Sequence, residues 1–334
     1  MTQVSLRCSA LVLGLVLAGC EGMPGDPDGG TRADAGPIDA GPQPIKYTRY
    51  TKRTDGWPTG ARVVGAASLD NVLYVATDQG LMSLPAIDTR WVAVMTPLLG
   101  DVKPTSLSRV DQSLVMTAAG AAGGGLFVKP LDGAWAQVTT APMTPGWLLV
   151  KKSTSWLLAT TGGLFAAPAL SGPWARRSTI GTALFTARLA RLVAAPSQQK
   201  IFASGATGGL FESADLGVTW VASSPRGTVD AIAADGAVVV VSTSMDGQQR
   251  SDNYGNTFRP LAAPISTGVS FYVAENSRFW AGGSGGLASS SDNGLTFTDN
   301  SDGLPVGMAV RALFFAGSYA IVDTSDGPFI NQVE

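Results

Sequence analysis

Short runs of alternating apolar and polar residues recur along the chain, separated by turns that contain glycine. Each repeat divides into four strands; in the fourth repeat they are Leu189–Ala195, Ile201–Ser204, Leu210–Ser213 and Thr219–Ser223. One turn glycine marks each repeat, at intervals of 45, 38, 46, 38, 39 and 41 residues: Gly80, Gly125, Gly163, Gly209, Gly247, Gly286 and Gly327. A period of about 40 residues with several short strands is typical of a propeller blade. We therefore predict an all-β fold, a seven-bladed β-propeller of four-stranded blades.

The seventh repeat has three recognisable strands, Val310–Phe315, Tyr319–Asp323 and Phe329–Val333. The alternating segment Ile45–Lys52 belongs to no other repeat, so we predict that it pairs with Phe329–Val333 and closes the ring. Closure would remove an open sheet edge that invites aggregation. Six blades followed by an irregular tail are the alternative. We expect the propeller to occupy residues 46–334 and to be a monomer.

The first 19 residues have the features of a bacterial secretion signal. Arg7 supplies a positive charge, and Ala10–Ala18 is an apolar run too short to span a bilayer. The sequence Leu17-Ala18-Gly19-Cys20 resembles the lipobox of bacterial lipoproteins, which implies cleavage before Cys20 and lipidation of its thiol. Glu21 favours delivery to the outer membrane by the same resemblance. An ordinary signal peptide with an incidental cysteine is the alternative.

Residues 20–45 are predicted to form a linker after the signal peptide of residues 1–19. This segment is rich in Asp, Gly, Pro and Ala and contains almost nothing to bury. Such a composition stays solvated and extended. We expect it to hold the propeller away from a bacterial membrane, outside the cytoplasm.

Composition argues against several kinds of chemistry. The chain has no histidine, and its two cysteines are Cys8 in the signal and Cys20 at the lipobox. Histidine is the commonest general base and metal ligand, so we expect no metal, no cofactor and no catalysis that depends on histidine or a free thiol. The net charge of −2 and the lack of a basic stretch argue against nucleic acid as a partner.

Three repeats carry one polar turn between their third and fourth strands, Ser-x-Asp/Asn-x-Gly-x-Thr followed by an aromatic residue. These turns resemble the Asp-box, also called the BNR repeat. We expect the Asp or Asn to accept hydrogen bonds across the turn, the glycine to adopt a positive φ, and the aromatic ring to pack on the neighbouring blade. We therefore assign a structural role to the matching residues: Ser213, Asp215, Gly217, Thr219, Trp220, Ser251, Asn253, Gly255, Thr257, Phe258, Ser290, Asp292, Gly294, Thr296 and Phe297.

Asp-box propellers include sialidases, glucan-cleaving hydrolases, sortilin-type receptors and photosystem II assembly factors. The resemblance implies a ligand face opposite the boxes. Sialidases need an arginine triad, a Tyr–Glu nucleophile pair and an acid/base Asp. The glutamates of the predicted propeller are Glu212, Glu275 and Glu334, and neither of the first two is placed for that face. Because glycosidases need two converging carboxylates and the sequence reveals none, we predict no catalytic residue.

The best candidate for a binding site is the mouth of the central channel opposite the Asp-boxes. Aligned repeats place Arg62, Trp147, Asp230 and Arg311 at matching positions near the start of the first strand. Arg62 and Arg311 would lie on adjacent blades of a closed ring and could receive an anionic group. Alternatively, both arginines are solvated or pair with Asp230 or other aspartates, and Trp147 belongs to the core.

Two functional hypotheses follow from the sequence. The first is a membrane-anchored, extracytoplasmic propeller that performs no chemistry and serves as a binding or assembly scaffold for a protein or polysaccharide partner. The alternative is a divergent sialidase-type glycoside hydrolase. The lack of histidine and of a recognisable carboxylate pair favours the first.

Overall fold

The computed structural model describes residues 49–332, apart from 86–89, 95–101, 122, 178–188, 195–199, 206–207, 263–264, 266–267 and 276. The predicted signal peptide, the lipobox with Cys20 and the linker therefore lie outside the described residues. No helix in the described part of the chain is long and apolar enough to cross a bilayer.

The described residues form seven antiparallel sheets of four strands, which are numbered here as blades 1 to 7 in chain order. In each blade the strands are called A to D from the inside outward. The A strands are β2 (Val63–Leu69), β6 (Lys103–Val110), β10 (Gly146–Lys152), β14 (Leu189–Val193), β18 (Val229–Asp235), β22 (Val269–Glu275) and β26 (Val310–Ala316). The B strands are β3 (Val72–Thr77), β7 (Ser113–Gly120), β11 (Ser155–Thr160), β15 (Ile201–Gly205), β19 (Val238–Thr243), β23 (Arg278–Gly283) and β27 (Tyr319–Thr324).

The C and D strands complete each blade. The C strands are β4 (Gly80–Pro85), β8 (Gly123–Pro130), β12 (Gly163–Ala167), β16 (Leu210–Ser213), β20 (Gly247–Ser251), β24 (Gly286–Ser290) and β28 (Gly327–Gln332). The D strands are β5 (Val92–Ala93), β9 (Ala136–Gln137), β13 (Ala175–Arg176), β17 (Val221–Ala222), β21 (Arg259–Pro260), β25 (Thr298–Asp299) and, in blade 7, β1 (Thr51–Lys52). The predicted seven-bladed propeller is thereby confirmed.

The ring is closed by a strand from the start of the described chain. Strand β1 pairs with β28 through Thr51↔Ile330 and Lys52↔Phe329, and A strands β2 and β26 lie side by side. Of the predicted strand Ile45–Lys52, the described part is residues 49–52, and only Thr51–Lys52 lies in the sheet. Tyr50 leaves the sheet, and its N–H donates instead to the carbonyl oxygen of Asp302 at 2.9 Å.

The outer strand of each blade is short. In blade 4 the predicted strand Thr219–Ser223 is reduced to Val221–Ala222, because Thr219 is held in the turn that precedes it by hydrogen bonds to Asp215. The D strand of each blade has two residues in the structure. Such short edges offer little template for pairing with another chain.

Burial concentrates at the junctions between blades. Most of the buried apolar side chains of the described residues fall into seven clusters, one at each junction. The B strands are the most completely buried; all six residues of β19 are buried, for example. Apolar burial between blades therefore stabilises the ring, and it does so without a disulfide in the described chain.

The antiparallel strand order defines two faces of the propeller. Turns between strands B and C share one face, called here the B–C face, with the loops that join each D strand to the next A strand. The A–B and C–D turns share the opposite face, called here the C–D face. The predicted binding residues belong to the first face and the predicted Asp-box turns to the second.

Candidate functional site

Every A strand carries a β-bulge close to the B–C face. Its pairing with strand B shifts by one residue at the same place in each blade. Bulges turn a side chain away from the regular alternation and are frequent beside functional sites. The bulged residues, in blade order, are Val64, Thr105, Trp147, Ala190, Asp230, Ser270 and Arg311.

The register corrects one position of the sequence alignment. Arg62 was matched to Arg311, but the equivalent residue in blade 1 is Val64. Arg62 lies just before strand β2, where its backbone N–H donates to Asp78 Oδ1 at 2.9 Å. The Asp78 N–H donates back to the Arg62 carbonyl oxygen at 3.1 Å. This reciprocal pair fixes the backbone of Arg62 beside the B–C turn of blade 1.

Arg62 and Arg311 nevertheless lie near the same carboxyl group, that of Asp323. Both are exposed, and both interact electrostatically with the carboxyl of Asp323 in strand β27. Arg311 also donates from Nη1 to the carbonyl oxygen of Thr324 at 3.1 Å. The junction of blades 7 and 1 therefore holds two arginines at the solvent, Asp78 beside them and Asp323 beneath.

Asp323 is the residue of this cluster that sequence reasoning missed. Its side chain is 1% exposed, and its Oδ1 has no hydrogen-bond partner among the described residues. The register of strands A and B gives the corresponding residues of the other six blades, all of them small and uncharged: Ala76, Thr117, Ala159, Ser204, Ser242 and Gly282. The sequence did contain one signal for Asp323, which is the only acid in the strand segment Ala320-Ile321-Val322-Asp323-Thr324.

The environment of Asp323 changes its acidity. Burial raises the pKa of its carboxyl to about 6. A hydrogen bond from the Val63 N–H and the positive charges of Arg311 and Arg62 oppose this rise in pKa. The negative charge of Asp78 adds to it. The carboxyl is therefore mostly ionised at neutral pH and is balanced by the two guanidinium groups above it.

The other two predicted binding residues lie elsewhere. Asp230 is the bulged residue of blade 5, and its carbonyl oxygen accepts a hydrogen bond from Arg191 Nη2 at 2.8 Å. Burial lowers the pKa of Arg191, and the nearby charge of Asp230 opposes that shift. Asp230 is thus engaged with blade 4 and is not a partner of Arg62 or Arg311. Trp147 is the bulged residue of blade 3, and its side chain lies outside the described set.

On the C–D face, the turns of blades 4, 5 and 6 are closed by their own side chains. In blade 4 the N–H of Thr219 donates to Asp215 Oδ1 at 2.8 Å, and the Thr219 hydroxyl donates to Asp215 Oδ2 at 2.6 Å. The N–H of Gly217 donates to Ser213 Oγ at 2.8 Å. Blade 6 repeats these contacts through Asp292, with distances of 2.9 Å and 2.6 Å to Thr296.

Blade 5 has the same turn with an amide in place of the acid. Asn253 Oδ1 accepts the Thr257 N–H at 3.0 Å, as the acid does elsewhere. The side-chain bond is reversed, because Asn253 Nδ2 donates to Thr257 Oγ1 at 2.9 Å. The backbone bond is the shared feature, so the turn needs an acceptor and not a charge.

These turns also dock each blade on the one before it. Gly217 has a φ of 85°, and a Cβ there would overlap Leu164 of blade 3. At Gly255 a Cβ would lie 2.5 Å from Phe202 of blade 4. Phe297 packs on the blade 5–6 cluster beside Tyr272, at 6.0 Å between ring centroids. The glycines and aromatic rings therefore act in packing between blades.

Replacing Asp292 with alanine is expected to lower the free energy of unfolding by about 1–2 kcal/mol at neutral pH, because the backbone loses an acceptor. Partial desolvation raises the pKa of the Asp292 carboxyl, but hydrogen bonds from Ser290, Thr296 and Leu295 outweigh that effect and lower the pKa to about 2. A depressed pKa gives stability that is present above the unfolded value of 3.8 and lost as pH falls towards 2.

Denaturant unfolding at about pH 7 and about pH 2.5 measures this effect. The matched control is Asn253→Ala, which removes an acceptor that does not titrate, so its cost should persist in acid. An equal loss of effect in both variants at low pH would contradict a contribution from the Asp292 charge.

Carboxyl groups come together at two places, although the sequence revealed no such pair. One is Asp78 with Asp323 on the B–C face. The other is Asp235 with Glu275, at the ends of neighbouring A strands on the C–D face. Desolvation raises the pKa of Glu275, and the charge of Asp235 raises it further. A general acid must reach the oxygen that it protonates, and Asp323 is buried.

Neither a protein-family profile nor a curated protein sequence matches the chain. Solved structures do match. YCF48 from Cyanidioschyzon merolae has a TM-score of 0.62 at 15% identity, with 82% of this chain and 96% of that chain covered. YCF48 bound to D1 peptide has a TM-score of 0.61 at 16% identity, with 83% and 95% covered. The extracellular domain of BT4673 from B. thetaiotaomicron has a TM-score of 0.65 at 12% identity, with 86% of this chain and 40% of that chain covered. At such identities the similarity establishes the propeller fold alone.

Proposed function

We propose that this chain is a non-catalytic binding propeller, anchored to a bacterial membrane through a lipid on Cys20, that docks a protein partner on its B–C face. The observation that carries the proposal is the pair of exposed arginines, Arg62 and Arg311, which both lie near the buried Asp323 carboxyl where the first and last blades meet. The partner would place an anionic group, such as a carboxylate, on these two guanidinium groups.

The arrangement of charge supports this use of the arginines. Asp323 is buried below them, so part of the counter-charge is withheld from solvent while the guanidinium groups remain exposed. Nη1 of Arg311 is bonded to the backbone at Thr324, which limits the freedom of that side chain before any partner arrives. Groups positioned in advance lose less entropy on binding.

The structural neighbours support a protein partner over a polysaccharide. YCF48, a propeller of similar fold, has been solved bound to D1 peptide. For this chain that likeness motivates the class of partner and does not identify it. A lipid anchor would place the propeller among proteins of the cell envelope.

Affinity capture from cross-linked native envelopes tests the proposal. The Arg62→Ala/Arg311→Ala variant is expected to lose a partner that the wild type retains, because the anionic group loses both of its donors. A charge-matched control is Arg109→Ala/Arg176→Ala, which removes two exposed arginines, one at the C–D end of β6 and one in the outer strand of blade 3, and should keep the partner. Identical partner lists from wild type and the Arg62/Arg311 variant, by mass spectrometry, would overturn the site.

A second variant separates binding from folding. Removing both arginines leaves the Asp323 charge buried without its cations, which destabilises the folded state. The triple variant Arg62→Ala/Arg311→Ala/Asp323→Asn also removes that charge. If the partner is lost from the double variant but returns in the triple variant, the arginines act on stability and not on binding.

The alternative of a sialidase-type hydrolase gains no specific support from the described residues. Of the two carboxyl pairs, the one on the B–C face includes Asp323, which is buried. The other, Asp235 with Glu275, lies on the C–D face together with the polar turns of blades 4, 5 and 6. Product release from a panel of fluorogenic glycosides would revive the hydrolase hypothesis.

A further inference from the structure

Two arginines face each other across the outer strands of blade 5. Arg250 in β20 and Arg259 in β21 are directly paired in the antiparallel register, so their side chains leave the sheet on the same side. Like charges directly opposite each other destabilise a sheet. The pair therefore carries an electrostatic cost that something else has to offset.

The two guanidinium groups are held differently. Arg250 is nearly buried, with 15% of its side chain exposed, and its Nε donates to the carbonyl oxygen of Asn293 in blade 6 at 2.8 Å. Its Nη1 lies 3.4 Å from Asp252 Oδ2, a long contact to an exposed carboxylate. Arg259 is exposed, and no hydrogen bond or ion pair involves its side chain within the described residues. One positive charge of the pair is thus uncompensated.

Both arginines line one small cavity between blades 5 and 6. Its volume is about 190 Å³, and its wall includes Thr257, Leu261 and Leu295 besides the two arginines and Asp252. Clefts for drug-sized ligands measure roughly 300–1,000 Å³, so this cavity suits a single small group. Leu261 is buried and Arg250 nearly so, whereas the other lining residues are exposed, so the cavity opens to solvent and a small ion can enter it.

The fold itself does not require arginine at these positions. The equivalent pair in blade 4 is Glu212 with Val221, and in blade 6 it is Ser289 with Thr298. In blade 4 the acid is neutralised by Lys200 at 2.9 Å. Blade 5 differs from both neighbours in placing two cations together beside a cavity.

We propose that this cavity binds one small oxyanionic group, a carboxylate, sulfate or phosphate, between Arg250 and Arg259. The planar guanidinium fork donates two parallel hydrogen bonds to such groups. An anion between the arginines would replace their mutual repulsion by attraction to a shared partner. The site is separate from Arg62 and Arg311 and lies beside the C–D turn of blade 6, so it is independent of the partner proposed above.

Calorimetric titration of the purified propeller with inorganic phosphate, sulfate and acetate, at low and constant ionic strength, tests the site. At least one anion is expected to bind the wild type saturably. The Arg259→Gln variant should bind it about tenfold more weakly or worse, the effect of losing a charge-assisted hydrogen bond. The anion that binds most tightly identifies the group.

The matched control is Arg176→Gln, which removes an arginine from the outer strand of blade 3 and should leave affinity unchanged. The Arg259→Lys variant keeps the charge but loses the fork, and it should bind with intermediate affinity. Without anion, Arg259→Gln should be at least as heat-stable as the wild type, because the repulsion is relieved. Saturable binding by none of the three anions, or equal binding by wild type and both glutamine variants, would overturn the proposal.

Discussion

Replacing Gly303 with alanine is expected to lower the free energy of unfolding by about 2–4 kcal/mol, the combined cost of a strained backbone and an overpacked contact. Gly303 has a φ of 85° in the loop between blades 6 and 7. A Cβ there would overlap the carbonyl oxygen of Tyr50 and lie 2.8 Å from its backbone nitrogen. Tyr50 immediately precedes β1, the strand that closes the ring.

The effect should extend beyond local strain because Tyr50 anchors the closing strand. Its side chain is 2% exposed and packs in the blade 6–7 cluster with Trp280 and Leu304, and its N–H bonds to Asp302. Displacing it would loosen a two-residue strand that has little pairing of its own. Faster trypsin cleavage after Lys52 would accompany the loss of stability.

Gly307→Ala is the control for the Gly303 variant. Gly307 lies in the same loop with a φ of 74°, and a Cβ there meets nothing within 4 Å. This variant should lose only about 1–2 kcal/mol, the cost of the left-handed backbone for alanine. Urea unfolding of both variants isolates the contact with Tyr50. Equal losses would mean that the approach of Tyr50 to Gly303 does not hold the ring closed.

The closed ring was predictable because its cause is local and repeated. Turn glycines at near-constant intervals predicted the blades, and the segment Ile45–Lys52 had no other repeat to join. The length of the closing strand was not predictable. Alternation continues through Tyr50, but burial of that side chain between blades 6 and 7 and its bond to Asp302 take it out of the sheet.

The candidate site was only partly predictable, since it depends on contacts between the two ends of the chain. Arg62 and Arg311 were singled out by position, although the bulge in β2 falls at Val64 and not at Arg62. A bulge adds a residue without a clear mark in the sequence. Asp323 was missed because hydrophobic patterning describes a strand within its own blade, whereas its partners Val63 and Arg62 come from the next blade.

The two faces of the propeller use charge in opposite ways. Asp215 and Asp292 sit at exposed turns where backbone and hydroxyl donors hold the pKa of each carboxyl at about 2, so their charge adds to stability. Asp323 is buried with one oxygen unpartnered, and its charge opposes folding. A charged group that lowers stability is a candidate for function. Here the Asp323 charge would serve to position Arg62 and Arg311, which lie above it.

Replacing Asp323 with asparagine is therefore expected to stabilise the protein at about pH 7.5, by roughly 1–3 kcal/mol. Burial raises the pKa of the Asp323 carboxyl in the folded state to about 6, from an ordinary value of 3.8. The folded state then holds the proton more strongly, so the wild type loses stability as pH rises from about 4 to about 6 and stays at the lower value above that. Asparagine has nearly the shape of the neutral acid and does not titrate.

The advantage of Asp323→Asn should shrink as pH falls and disappear at about pH 4, where the folded wild type already holds the proton and the unfolded state begins to bind it. Urea unfolding of the two proteins across this range gives the difference directly, since every other titrating group is common to both. The exposed Asp132→Asn serves as control and should change stability by less than about 0.5 kcal/mol at any pH. A variant that is less stable than the wild type at about pH 7.5 would mean that Arg62 and Arg311 outweigh burial and that the Asp323 charge supports the fold.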